Sequence, residues 1–168
     1  MADPVVEVTT NHGTFTIQLD PAKAPKSVEN FLRYVDSKHY DGTVFHRVIP
    51  TFMIQGGGFD QKLEKRPVQA PIQNEADNGL KNTRGTVAMA RTNDPHSATS
   101  QFFVNVTDNA FLDHQAKSGP GWGYTVFGKV TDGMDAVDKI KAVKTGEMGP
   151  FSKDAPQTLV VITGVRRK

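Results

Sequence analysis

Eight short β-branched or aromatic runs and only two helical stretches divide this sequence, and that pattern leaves few folds open. The runs are Val5–Thr10, Thr14–Leu19, Thr43–Ile49, Phe52–Gln55, Thr86–Ala90, Phe102–Val106, Tyr124–Val130 and Leu159–Val165, each bounded by turn residues. Asn11-His12-Gly13 joins the first two as a hairpin, and Phe15, Ile17 and Leu19 alternate with polar neighbours at the half-buried period of two. Pro25 suits the first turn of a helix running to about Lys38, with Val28, Phe31, Leu32 and Val35 as its apolar stripe. A second helix is expected from Asp132 as N-cap, with Met134, Val137 and Ile140 facing inward. Strands that do not alternate with helices count against a doubly wound α/β fold. Closure removes exposed strand edges. The expectation is therefore an all-β-dominated fold, a closed eight-stranded antiparallel β-barrel capped by two α-helices, forming one domain over residues 1–168. The stretches Gly56–Thr83 and Asn109–Gly123 read as surface loops able to wall a site.

Composition narrows the chemistry. The chain has 168 residues, enough for a substantial single core, and its 37% apolar content is ordinary for a soluble protein. No cysteine is present, so disulfides, thiolate catalysis and cysteine-held metals are excluded together. A formal charge of +2 gives no ground for a nucleic-acid partner. The start, Met1-Ala2-Asp3-Pro4, carries an acid where a secretory signal has a basic segment, and no run has the length of a membrane span. A cytoplasmic protein is the expectation. Lacking a surplus apolar helix stripe, it is expected to be a monomer.

Two runs carry unusual residues. Phe45-His46-Arg47-Val48-Ile49-Pro50-Thr51-Phe52-Met53-Ile54-Gln55-Gly56-Gly57 sets an arginine and a glutamine in an apolar run ending in glycines. An isolated buried charge is too costly, so Arg47 must reach solvent or a partner. A sheet with one face in the core and the other forming an apolar groove floor, with the guanidinium at its edge, satisfies this. Neighbours on a strand point to opposite faces, which places His46 behind Arg47, closing a hydrogen bond on the other side. In Gln101-Phe102-Phe103-Val104-Asn105-Val106, alternation sends Phe102, Val104 and Val106 to the core. Phe103 is left among amides, as an aromatic exposed in a polar-rimmed pocket.

Other chemistry finds little support. Gly56-Gly57-Gly58 lacks the Gly-Lys-Ser/Thr of a phosphate loop and reads as a tight turn or close backbone approach. Asp132, Asp135 and Asp138 form a solvated helix face rather than a calcium loop. His12, His39 and His114 share no metal-ligand spacing. His96 and Ser97 lie close together in an exposed loop without a triad signature.

Taken together, Phe45–Phe59, Gly85-Thr86-Val87-Ala88-Met89-Ala90, Ser100-Gln101-Phe102-Phe103-Val104 and Val126-Phe127-Gly128 resemble the cyclophilin family of peptidyl-prolyl cis-trans isomerases across nearly the whole chain. Asn74-Glu75-Ala76 and Gly79–Asn82 look like the small bacterial cytoplasmic branch. The resemblance implies Arg47 as the catalytic arginine with Gln55 beside it. It implies a proline pocket of Phe52, Met53, Phe103 and Leu112, a polar Gln101 next to it, and backbone at Ala90 and Arg91 that holds an extended peptide. Phe111 stands where a tryptophan often sits, and Tyr124 where a histidine often lines the pocket. Both are expected to touch substrate, and the missing indole N–H implies weak binding of cyclosporin. No cofactor or metal is implied. Partners would be proline-containing peptides and unfolded or folding proteins. Two other readings stay open: a proline-peptide binding module or chaperone platform with incidental turnover, and a hydrolase using His96 and Ser97.

Overall fold

The computed structural model describes residues 3–168. Eight strands close into an antiparallel barrel: β1 (Val5–Thr10), β2 (Gly13–Leu19), β3 (Thr43–Ile49), β4 (Met53–Asp60), β5 (Thr86–Met89), β6 (Phe102–Asn105), β7 (Val126–Asp132) and β10 (Val161–Arg167), in the order β1-β10-β3-β4-β6-β5-β7-β2. Helix α1 (Pro25–Asp36) and helix α2 (Met134–Lys141) pack against it. Closure leaves each of these strands with two hydrogen-bonded neighbours, so the barrel has no open edge.

Several local expectations are corrected. The glycine string makes no turn: β4 runs through Gly56, Gly57 and Gly58 to Asp60. Close approach is its role, since a Cβ on Gly58 would lie 2.5 Å from the Gln101 side chain. Asp132 does not cap α2 but ends β7, opposite Thr16, and the cap is Gly133 in the left-handed region at φ +85°. Asp138 is not simply a solvated acid, because it pairs with Arg84 at 2.9 Å. An additional hairpin of β8 (Thr145–Met148) and β9 (Phe151–Pro156) forms a two-stranded sheet packed over β3. Its short, polar strands lack the periodicity that marks the barrel runs.

Alternation divides the apolar side chains into two clusters. The main core fills the barrel and the undersides of both helices, with Phe31, Tyr40, Phe45, Phe102 and Phe127 fully buried. Phe31 meets Phe102 edge-on at 5.5 Å, which ties α1 to β6. The second cluster lies on the outer face of β4, β6, β5 and β7: Met53, Ala88, Ala90, Phe103, Leu112 and Val126. Having two apolar faces, this part of the sheet shows a continuous apolar run where a one-sided strand would alternate.

Candidate active site

The outer cluster is the floor of a groove. Register aligns Arg47 with Gln55, Gln55 with Phe103, Phe103 with Ala88 and Ala88 with Val126, a row crossing β3, β4, β6, β5 and β7. Cross-strand partners share a face, so the row puts a guanidinium, an amide and an aromatic ring side by side. Arg47 reaches that face through a register shift between Phe45 and Arg47. Strict alternation would send both residues to the same side. With an extra residue accommodated there, Phe45 stays in the main core and Arg47 turns outward.

Arg47, Phe52, Met53, Gln55, Ala90, Arg91, Phe103, Leu112 and Tyr124 line one pocket of about 110 Å³. Met53, Phe103 and Leu112 are buried beneath it, at 1%, 4% and 7% exposure. Phe103 is thus the floor of the pocket rather than an exposed ring. Arg47 sits at the mouth, its guanidinium carbon 6.0 Å from the Phe52 ring centre, and Nη1 makes a long 3.5 Å contact to Gln55 Oε1. Gln55 Nε2 in turn donates to Gln101 Oε1 at 3.0 Å. Gln101 does not line the pocket and touches it through Gln55. Phe111 lies outside the pocket lining, 68% exposed, with its ring 5.5 Å from that of Phe52. The Ala90 amide bonds the Gln101 carbonyl at 3.0 Å, anchoring the end of β5 beside the groove.

Buried asparagines hold together the loops that wall the groove. Asn105, fully buried, donates to Asn82 and Thr86, while Asn109 donates to Asn105 and to the Phe52 carbonyl. Asn82 bonds Asp113 and the Tyr124 carbonyl. This amide network fastens the segments carrying Phe52, Leu112 and Tyr124. The only signal for it was the density of asparagines in the loops.

Histidines do not enter the groove. His46, 7% exposed, stacks between Phe59 and Phe151, and its Nδ1 finds no hydrogen-bond partner, contrary to the expected bond. Burial, with the Arg47 charge adding to it, pushes its pKa down to about 4. His96 Nδ1 accepts from the Asn74 amide, and Ser97 Oγ donates to the Asp94 carbonyl. The serine is thus not paired with a base, which removes the hydrolase reading. Among the described residues no cluster of three His, Cys, Asp or Glu side chains is arranged to hold a metal ion.

A family model described as cyclophilin type peptidyl-prolyl cis-trans isomerase/CLD matches residues 5–167. The chain belongs to the cyclophilin family. A peptidyl-prolyl cis-trans isomerase of Streptomyces antibioticus is 60% identical over 161 residues, 96% of either chain. Peptidyl-prolyl cis-trans isomerase B of Escherichia coli K12 is 55% identical over 161 residues, covering 96% of this chain and 98% of that one. Among solved structures, a Cryptosporidium parvum cyclophilin type isomerase matches with a TM-score of 0.80 at 25% identity, over 99% of this chain and 98% of that one. The same Cryptosporidium protein was also crystallised in the presence of the dipeptide Ala-Pro. This cyclophilin is a peptidyl-prolyl cis-trans isomerase, and its barrel is the family's.

Proposed function

We propose that prolyl bonds turn over in the Arg47 groove, with the pyrrolidine ring seated on Met53, Phe103 and Leu112 beside Phe52. The observation that supports this is the Arg47 guanidinium, in contact with Gln55, lining the same pocket as that apolar floor. An X-Pro bond resists rotation because the nitrogen lone pair is shared with the carbonyl, and uncatalysed exchange takes tens to hundreds of seconds. No covalent bond is made or broken, so catalysis means binding the twisted amide better than either planar form. In the twisted state the nitrogen becomes pyramidal and basic. Arg47 then donates to it, an interaction unavailable while the lone pair is delocalised. Gln55, braced by Gln101, keeps the guanidinium in place. Lysine is a poor replacement, since only the planar fork offers donors to the nitrogen and to Gln55 together.

Arg47→Ala is expected to keep the fold and to lose roughly 10²-fold in kcat/KM, the cost of one donor aimed at a transition state. Exchange spectroscopy on an Ala-Pro peptide reads this directly. Unchanged kcat/KM in the folded variant rules the arginine mechanism out. The reading extends to unfolded and folding chains, since the groove is open and Phe111 adds an exposed apolar ring at its edge. A binding module that does not catalyse predicts no acceleration of exchange at substoichiometric protein, which the same experiment reports.

A further inference from the structure

Four of the chain's arginines have a carboxylate within 3.3 Å: Arg33, Arg84, Arg166 and Arg167. Arg66 has none either and donates to the His39 carbonyl instead; Arg47 and Arg91, which line the same groove, also have none among the described residues, and no Asp or Glu lines the pocket. The nearby acid Asp113 is engaged elsewhere, accepting from the Asn82 amide and side chain. Arg91 is also held in position. Its Nε donates to the Gly123 carbonyl at 3.0 Å, its Nη1 to the Thr92 carbonyl at 2.9 Å, and its guanidinium lies 4.5 Å from the Tyr124 ring centre. Nη2 remains without a partner among the described residues. A guanidinium already fixed by its fork loses little further freedom on meeting a carboxylate.

We propose that Arg91 is a specificity-determining residue: its guanidinium makes the groove favour prolyl segments that carry an Asp or Glu within two residues of the proline. This rests on the groove being the isomerase site and names the substrate class it selects. An exposed pair of this kind supports about threefold selectivity, and salt screens it. The test compares peptides with Glu or Gln at each position within two residues of the proline, reading kcat/KM by exchange spectroscopy and affinity by chemical-shift titration. At low salt, wild type should favour Glu over Gln by about threefold in at least one position, and high salt should pull the ratio toward one. Arg91→Gln should bring that ratio to about one, and Arg91→Lys should retain part of it. Because the ratio is read within each variant, a general loss of turnover cancels. A wild-type ratio of one at every position, or a preference that survives Arg91→Gln, overturns the proposal while leaving the isomerase reading intact. Failure of wild type to accelerate even the Gln peptides would instead bring down the site reading on which it rests.

Discussion

Arg47 stands exposed at the rim of a floor whose residues are almost wholly buried, so its charge stays hydrated until a substrate covers it. Hydrogen bonds to charged groups strengthen as water is excluded. Phe111 presents apolar area but has no donor. Phe111→Trp adds an indole N–H beside Phe52 and is expected to tighten cyclosporin binding by about tenfold, the worth of one net hydrogen bond. Inhibition titration of wild type and variant measures it, and equal inhibition constants count against Phe111 as the determinant. Arg47 and Gln55 were legible because a charge and an amide interrupt an apolar run, whereas the floor of Met53, Phe103 and Leu112 came from the family resemblance. The anchoring of Arg91 was not legible, since its partners are backbone carbonyls of Thr92 and Gly123.

Individual elements are set by interactions distant in sequence. Helix α1 starts at Pro25 after Ala24, which supplies no capping side chain. The Glu75 carboxylate takes over, accepting from the Lys26 and Ser27 amides at 3.2 and 2.7 Å and from Ser27 Oγ at 2.9 Å. Glu75→Ala should cost about 1–2 kcal/mol, as loss of a good N-cap does, seen as a lower denaturation midpoint with an unchanged slope. A stability unaffected by the change would show the cap to be dispensable. The β8–β9 hairpin covers His46, which is held neutral against Phe59 and Phe151. Its folded pKa, about 4, lies below the ordinary 6.5, so the unfolded chain binds the extra proton first as pH falls. Stability is full above about pH 6.5 and declines toward pH 4, by up to about 3 kcal/mol. Asp36, Asp41 and Asp138, each held low by hydrogen bonding to an arginine, also lose stability in acid. The diagnostic is therefore a difference: between pH 6.5 and 4 the melting temperature of His46→Phe should fall less than that of wild type. Parallel curves would contradict the assignment. The shift in β3 that separates Phe45 from Arg47 leaves no trace in periodicity, because it is a matter of pairing with β4.

At the scale of the whole molecule, closure makes the site. A barrel wall has an inner and an outer face, and β4, β6 and β5 are apolar on both. The eight barrel strands and two helices could be read from runs and breakers, because each run is local. Register could not, and it is register that sets Arg47, Gln55, Phe103 and Ala88 in one row. The β8–β9 hairpin escaped because its strands pair with each other over β3 and bury few of their residues. On the proposed mechanism this closed sheet presents the Arg47 guanidinium to a proline seated on its outer face. Exchange spectroscopy on an Ala-Pro peptide, with substoichiometric wild type, Arg47→Lys and Arg47→Ala, tests it most directly. Catalysis by Arg47 predicts accelerated exchange with wild type, a large loss in Arg47→Lys despite the retained charge, and a loss of roughly 10²-fold in folded Arg47→Ala. Equal acceleration by all three proteins would contradict it.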